Sequence, residues 1–236
     1  DDKLEIRGDI CTRDPETLVF PLYVLFVIDG SISMEATDPP DPVTGVTGRE
    51  RAVRSTWEQL LEDGPEGVRV GIVRFSSQAQ SRTATDLDGD GFADTYFTAD
   101  MTRLDTATQA LRITDRTTNY INAISEAYFE IRTELINTED QASLPLSKFV
   151  VVFLSDGLPD VDASAGARGN TFDGITEAIE TLQELTDQFR VGSFEFHTAF
   201  ISSGQDAFDK QAQDLLAGMA QAGGGTFRNF SNGEEL

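Results

Sequence analysis

Leu22-Tyr-Val-Leu-Phe-Val-Ile28 runs directly into Asp29-Gly-Ser31-Ile-Ser33-Met34. Seven consecutive apolar residues are the pattern of a strand buried on both faces, as in a parallel sheet flanked by helices. The run ends on a carboxylate and then offers two hydroxyls at alternate positions. Ligands of open α/β sheets bind in the crevice beyond the carboxyl ends of the strands. Asp29, Ser31 and Ser33 therefore fall where a site is expected. All three are oxygen donors, which hard cations such as Mg2+ prefer. A metal site at one rim of a sheet is the first expectation.

Outward from this stretch, the chain alternates strand and helix patterns. Pro21 favours a bulge or edge in the first half of a strand spanning Leu18 to Ile28. A rigid Pro- and Gly-rich loop follows, Asp38-Pro-Pro-Asp-Pro42 to Gly48. Arg49 to Glu62 reads as a helix with Val53, Trp57, Leu60 and Leu61 on one face. Val68 to Phe75 is a second strand, its arginines placing it nearer a sheet edge. Residues 76–105 read as a polar insertion. Ile121, Ile124, Tyr128, Ile131 and Leu135 then mark a helix preceded by Thr117 and Thr118. Phe149-Val-Val-Val-Phe-Leu154 is another fully buried strand, and it too runs into an acid, Ser155-Asp156-Gly157. Ile175 to Leu185 marks a helix and Ser193 to Ile201 a strand. Phe208 to Met219 marks a last helix, ending at Gly223-Gly-Gly225, before a short strand from Thr226 to Phe230. The order implies one α/β domain, residues 18–236, with a doubly wound, mostly parallel central sheet and right-handed crossovers. Residues 1–17 read as a polar arm, and a closing helix could begin within residues 232–236.

Composition narrows the function. The chain has 236 residues, and 18 basic against 41 acidic residues give a net charge of −23. Only Lys3, Lys148 and Lys210 are lysines. Nucleic acid is excluded as a partner, since phosphates need a basic face. No apolar run is long enough to span a membrane, and the first residues show no export signal. The single cysteine, Cys11, rules out a disulfide within the chain and a thiolate zinc site. The single histidine, His197, falls mid-strand and reads as structural.

Parallel strands deliver their ends to one edge, so Asp29 and Asp156 should converge there, together with the threonines before the helix. Thr118 by itself would be read as a helix N-cap. In combination the residues resemble the metal-ion-dependent adhesion site (MIDAS) of a von Willebrand factor A (VWA) domain. The matching segments are Asp29-Gly-Ser31-Ile-Ser33-Met34, Thr118-Asn119 with Ala123-Ile124, and Leu154-Ser155-Asp156-Gly157. One departure is Ile32, where the family often has glycine. The resemblance implies Mg2+ or Mn2+ held directly by the hydroxyls of Ser31, Ser33 and Thr118. Asp29 and Asp156 would act through water or by holding those hydroxyls. A carboxylate from a protein or glycan partner would complete the coordination.

A second metal signal lies in the insertion, Asp86-Leu-Asp88-Gly-Asp90-Gly91-Phe92-Ala-Asp94. Aspartates at positions 1, 3, 5 and 9 with glycine at 6 match the start of a calcium loop, the Phe92 carbonyl being the position-7 ligand. Phe97 stands where an EF-hand has glutamate, so the pattern is closer to shorter extracellular calcium loops. Calcium here is expected to rigidify the insertion beside the metal rim.

Two alternatives compete with a non-enzymatic, cell-surface adhesion module forming part of a larger protein. A haloacid-dehalogenase-type phosphatase also has a strand ending in Asp-Gly-Ser. Its chemistry needs an aspartate two residues before Asp29, and position 27 is valine. An intracellular VWA domain scaffolding an ATPase or chelatase assembly would suit the fold. It would not suit a weak calcium loop, since such loops bind at about 10⁻⁴–10⁻³ M.

Overall fold

The computed structural model describes residues 20–160, 170–202, 204 and 206–231. The polar arm, Cys11, the start of the first strand at Leu18 and the suggested closing helix lie outside these residues. The buried run forms β1 (Leu22–Asp29), seven of its eight residues fully inside. It lies at the centre of a six-stranded sheet of order β3-β2-β1-β4-β5-β6. The other strands are β2 (Val68–Phe75), β3 (Ala79–Ser81), β4 (Lys148–Ser155), β5 (Ser193–Ile201) and β6 (Gly224–Phe230). All pairings are parallel except β2 with the three-residue β3, which caps the edge beside β2.

The continuous apolar run of β1 arises because helices cover both its faces, whereas β4, expected to be buried throughout, leaves Lys148, Val150 and Val152 only partly covered on one face, beside an open groove over β4, β5 and β6. On one face α4 (Tyr120–Asn137), α5 (Phe172–Gln188) and α6 (Asp206–Ala222) pack Ile124, Ile131, Leu135, Ile179, Leu182 and Leu216 against Leu25, Val27, Val151, Phe153 and Phe196. On the other, α2 (Gly48–Asp63) and α3 (Met101–Gln109) set Val53, Trp57, Leu104 and Ala107 against Val24, Phe26, Ile28, Val70 and Ile72.

Helix α3 begins inside the stretch read as insertion, so the irregular segment ends at Asp100. The carboxylate of Asp100 accepts the N–H groups of Thr102 and Arg103, a clear N-cap. Leu104, Ala107, Thr108 and Leu111 then form the buried stripe. Three threonines in α3 and only one large aliphatic in its first two turns hide this helix from apolar periodicity. The buried Thr108 is nonetheless satisfied, donating to the Leu104 carbonyl and accepting from the Trp57 indole.

Candidate metal centre

Register decides which groups meet. Ile28 of β1 lies opposite Leu154 of β4, so Asp29 and the Ser155-Asp156 pair leave the sheet side by side. The chain then turns at Gly30, whose N–H donates to the Phe75 carbonyl and whose carbonyl accepts from Asp115 N–H. Ser33 opens α1 (Met34–Thr37), a single turn pinned by the fully buried Met34. Beyond it the carboxylate of Asp38, only 2% exposed, accepts the N–H groups of Gly48 and Arg49 and pairs with the buried Arg49 guanidinium at 3.0 Å. The hydroxyl loop is thus tied to the sheet at one end and to α2 at the other.

The Oγ atoms of Ser31 and Ser33 lie 2.9 Å apart, and Ser33 Oγ donates to Asp156 Oδ1 at 2.8 Å. Asp29 is fully buried. Its Oδ1 accepts the Ser31 N–H at 2.7 Å and its Oδ2 accepts from the Ser155 hydroxyl. Ser31, Ser33, Thr118 and Asp156 line one cleft of about 340 Å3. Thr118, and not Thr117, faces it. Its backbone N–H donates to Asp160 Oδ2 and its carbonyl accepts from the Asp160 N–H. The helix cap belongs instead to Asn119, whose side chain accepts from Asn122 N–H. Thr118 is therefore not the cap, and its hydroxyl makes no hydrogen bond among the described residues.

Sequence reasoning gave no role to three neighbours that shape this centre. Thr37 donates to Asp156 Oδ2 at 2.6 Å, Ser155 orients Asp29, and Asp160 clamps Thr118. Thr37 stands four residues after Ser33, on the same face of one helical turn, which is the signal that could have found it. Tyr120 secures the far loop by donating to the Gly157 carbonyl at 2.6 Å.

Burial, and then the charge of Asp156, push the Asp29 carboxyl up to about 7; burial likewise raises Asp156. Two such acids in one buried corner repel when both are ionised, and a cation between them would reverse that cost. The donor set is oxygen only, three hydroxyls and two carboxylates, with no imidazole or thiolate. These residues fit a hard divalent ion such as Mg2+.

The acidic loop lies elsewhere than expected. Leu87, Asp88, Asp94 and Thr95 share a groove with Tyr23 and Arg69, which begin β1 and β2, and with the last turn of α4. Asn137 Nδ2 donates to the Asp94 carbonyl at 2.8 Å. The loop therefore sits at the edge opposite the rim of hydroxyls, a strand length of about 23 Å away, and not beside it. The ten residues between Phe75 and Asp86 allow this by running back along β2. Carboxylate oxygens of Asp86, Asp88 and Asp94 come within 4.8 Å of one another, while Asp90 stands outside that group. Asp90 instead accepts the Phe92 N–H, and the Phe92 ring is exposed. Gly89 and Gly91, at φ of 82° and 94°, turn their N–H groups onto Asp86 and hold its carboxyl below the usual range. Glycine is required at both, because other residues rarely reach this region.

His197 is structural as expected: Nδ1 lies 2.9 Å from Thr226 Oγ1 and Nε2 3.0 Å from Glu195. Among the described residues no helix is long and apolar enough to cross a membrane.

A parallel sheet wrapped by helices, with hydroxyls and aspartates gathered at one rim, defines an α/β domain of the A type. The family model for the von Willebrand factor type A domain matches residues 24–158, more than half of the chain, and the chain belongs to that family. No curated protein matches it in sequence. Among solved structures it is similar to the PilB minor pilin from Streptococcus sanguinis (TM-score 0.55, 20% identity), over 94% of this chain and 60% of the pilin. It is also similar to the vWF domain of the type V pili tip protein Mfa5 from Porphyromonas gingivalis (TM-score 0.57, 15% identity), over 90% of each chain. A third is an aerotolerance-related membrane protein from Bacteroides fragilis (TM-score 0.53, 14% identity), over 91% of this chain and 94% of the other. At these identities the likeness is one of fold, and the chain spans about 60% of the pilin, short of two thirds.

Proposed function

We propose that this domain is a non-enzymatic, metal-dependent binding module at a cell surface, part of a larger protein, that grips a carboxylate of its partner. The observation that carries this reading is the meeting of Ser31, Ser33, Thr118 and Asp156 in one open cleft, with Asp29 buried behind it on the Ser31 N–H, from segments as much as 127 positions apart in the chain. Ser31, Ser33 and Thr118 would hold Mg2+ or Mn2+. When bound, the ion supplies an electrophilic coordination place for a carboxylate oxygen. The chain's own part is positioning. Asp29 fixes the Ser31 backbone, Asp156 fixes Ser33 and Thr37, and Asp160 fixes Thr118. Neutral hydroxyl donors leave the ion's charge available, and surface charges beyond about 8 Å are screened at physiological ionic strength. The pilus proteins of similar fold support a surface role.

The test is a calorimetric titration of Mg2+ into chelated protein. Binding is expected for the wild type and at least about tenfold weaker binding for Thr118→Ala, since even supporting residues of metal sites cost that much. Equal affinity in the two would remove Thr118 from the site.

We further propose calcium in the acidic loop, supported by the convergence of Asp86, Asp88 and Asp94. At free calcium 100 times its dissociation constant, binding contributes about 2.7 kcal/mol. For a chain of this size that raises Tm by roughly 5–10 °C. Chelation should reverse the shift, and the double change Asp86→Asn with Asp88→Asn should abolish it. An unchanged Tm would make the loop a plain acidic turn.

A further inference from the structure

The cleft that holds the hydroxyls is not polar throughout. Ile32, Leu158 and Phe208 also line it, and so does Arg116. Ile32 is 53% and Phe208 50% exposed, large apolar surface left open immediately beside a polar centre. Exposed apolar area rimmed by polar groups marks a contact surface. Arg116 adds a second signal. Like several other exposed arginines, Arg116 has no side-chain hydrogen bond or ion pair among the described residues, but it is the one of them that lines this cleft. In a chain of net charge −23, a free cation at this rim is complementary to an acidic partner.

We infer that the rim selects an acidic peptide segment in which the gripped carboxylate is followed by an apolar residue and accompanied by a second acid. The inference rests on the metal-dependent reading above and names its partner class. The apolar side chain would lie on Ile32, Leu158 and Phe208, and the second acid would meet Arg116. A cleft of about 340 Å3 takes one short side chain and its neighbour. Branched aliphatic walls suit a leucine-sized group, whereas a sugar ring needs hydrogen-bonding partners for its hydroxyls on every side.

The experiment uses three capped, fluorescent peptides on the magnesium-loaded chain, read by anisotropy. The first is glycine with a central aspartate, the second adds leucine after that aspartate, and the third also adds an aspartate before it. Leucine should tighten binding about tenfold, the yield of half-burying such a side chain. The second acid should add a further few-fold gain that is lost in Arg116→Gln. The double change Ile32→Ser with Phe208→Ser should return the leucine peptide to the affinity of the glycine one, with magnesium titration of the same variant checking that the rim is intact. Equal binding of the glycine and leucine peptides overturns this inference and leaves the metal reading standing. Tighter binding of an oligouronate than of the leucine peptide overturns it in favour of a glycan. Failure of every acidic probe on magnesium-loaded protein removes the metal reading itself.

Discussion

Asp29→Asn is expected to abolish magnesium binding and, at the same time, to make the ion-free protein more stable at alkaline pH. Asp29 is fully buried, with both oxygens engaged by Ser31 N–H and the Ser155 hydroxyl. Its carboxyl is raised to about 7 from 3.8 by burial and by Asp156. A raised acid binds its proton more tightly in the folded state. Its ionisation therefore costs nothing below the unfolded pKa, and the cost grows as pH climbs through about 7. Fully developed, this is of order 4 kcal/mol. Asparagine keeps the Ser31 contact through its oxygen, and its amide can donate to a reoriented Ser155 hydroxyl. It carries no charge to desolvate and none to attract a cation. Melting in a chelator should show the variant above wild type near pH 8 and level with it near pH 4. Calorimetry should show affinity for magnesium lowered by a hundredfold or more. A variant that still binds the ion, or that melts earlier at alkaline pH, would contradict the role assigned to this carboxylate.

Glu130→Met should stabilise the protein outright. Glu130 lies on α4, 0% exposed, and among the described residues neither carboxylate oxygen makes a hydrogen bond of normal geometry. Ser81 of β3, Tyr96 and Glu126 are its polar neighbours. Burial pushes this carboxyl well above the usual range, with the charge of Glu126 adding to the effect. Methionine has a similar unbranched length and no polar group to bury. Removing an unsatisfied buried polar group is worth about 1–3 kcal/mol. The sign of the pH dependence follows as for Asp29: the gain is smallest in acid, where Glu130 keeps its proton, and grows as pH rises. Denaturant unfolding at two pH values checks both parts, and a loss of stability at neutral pH would show that the carboxyl has a partner after all.

Much of the fold was readable because its central strands are unbroken apolar runs, β1 buried on both faces and β4 fully on one. Leu22–Ile28 and Phe149–Leu154 need no periodicity to be recognised, and the acids that end them had to share an edge once the sheet was parallel. That logic brought Asp29, Ser31, Ser33 and Asp156 together from the chain alone. What escaped it depended on side-chain direction or on loop path. Thr37 and Ser155 act by hydrogen bonds that composition does not announce, and Asp160 serves Thr118 through the backbone. Helix α3 hid behind threonines. The acidic loop was recognised by its spacing yet misplaced, because nothing in an irregular segment states along which side of a sheet it travels.

That placement has an energetic corollary. Two ions seated at opposite ends of β1 would share no ligand and would be separated by several screening lengths. Each should then fill without regard to the other, so that losses from emptying both sites simply add. Calcium depletion would loosen the base of the domain yet leave the grip at its crown untouched.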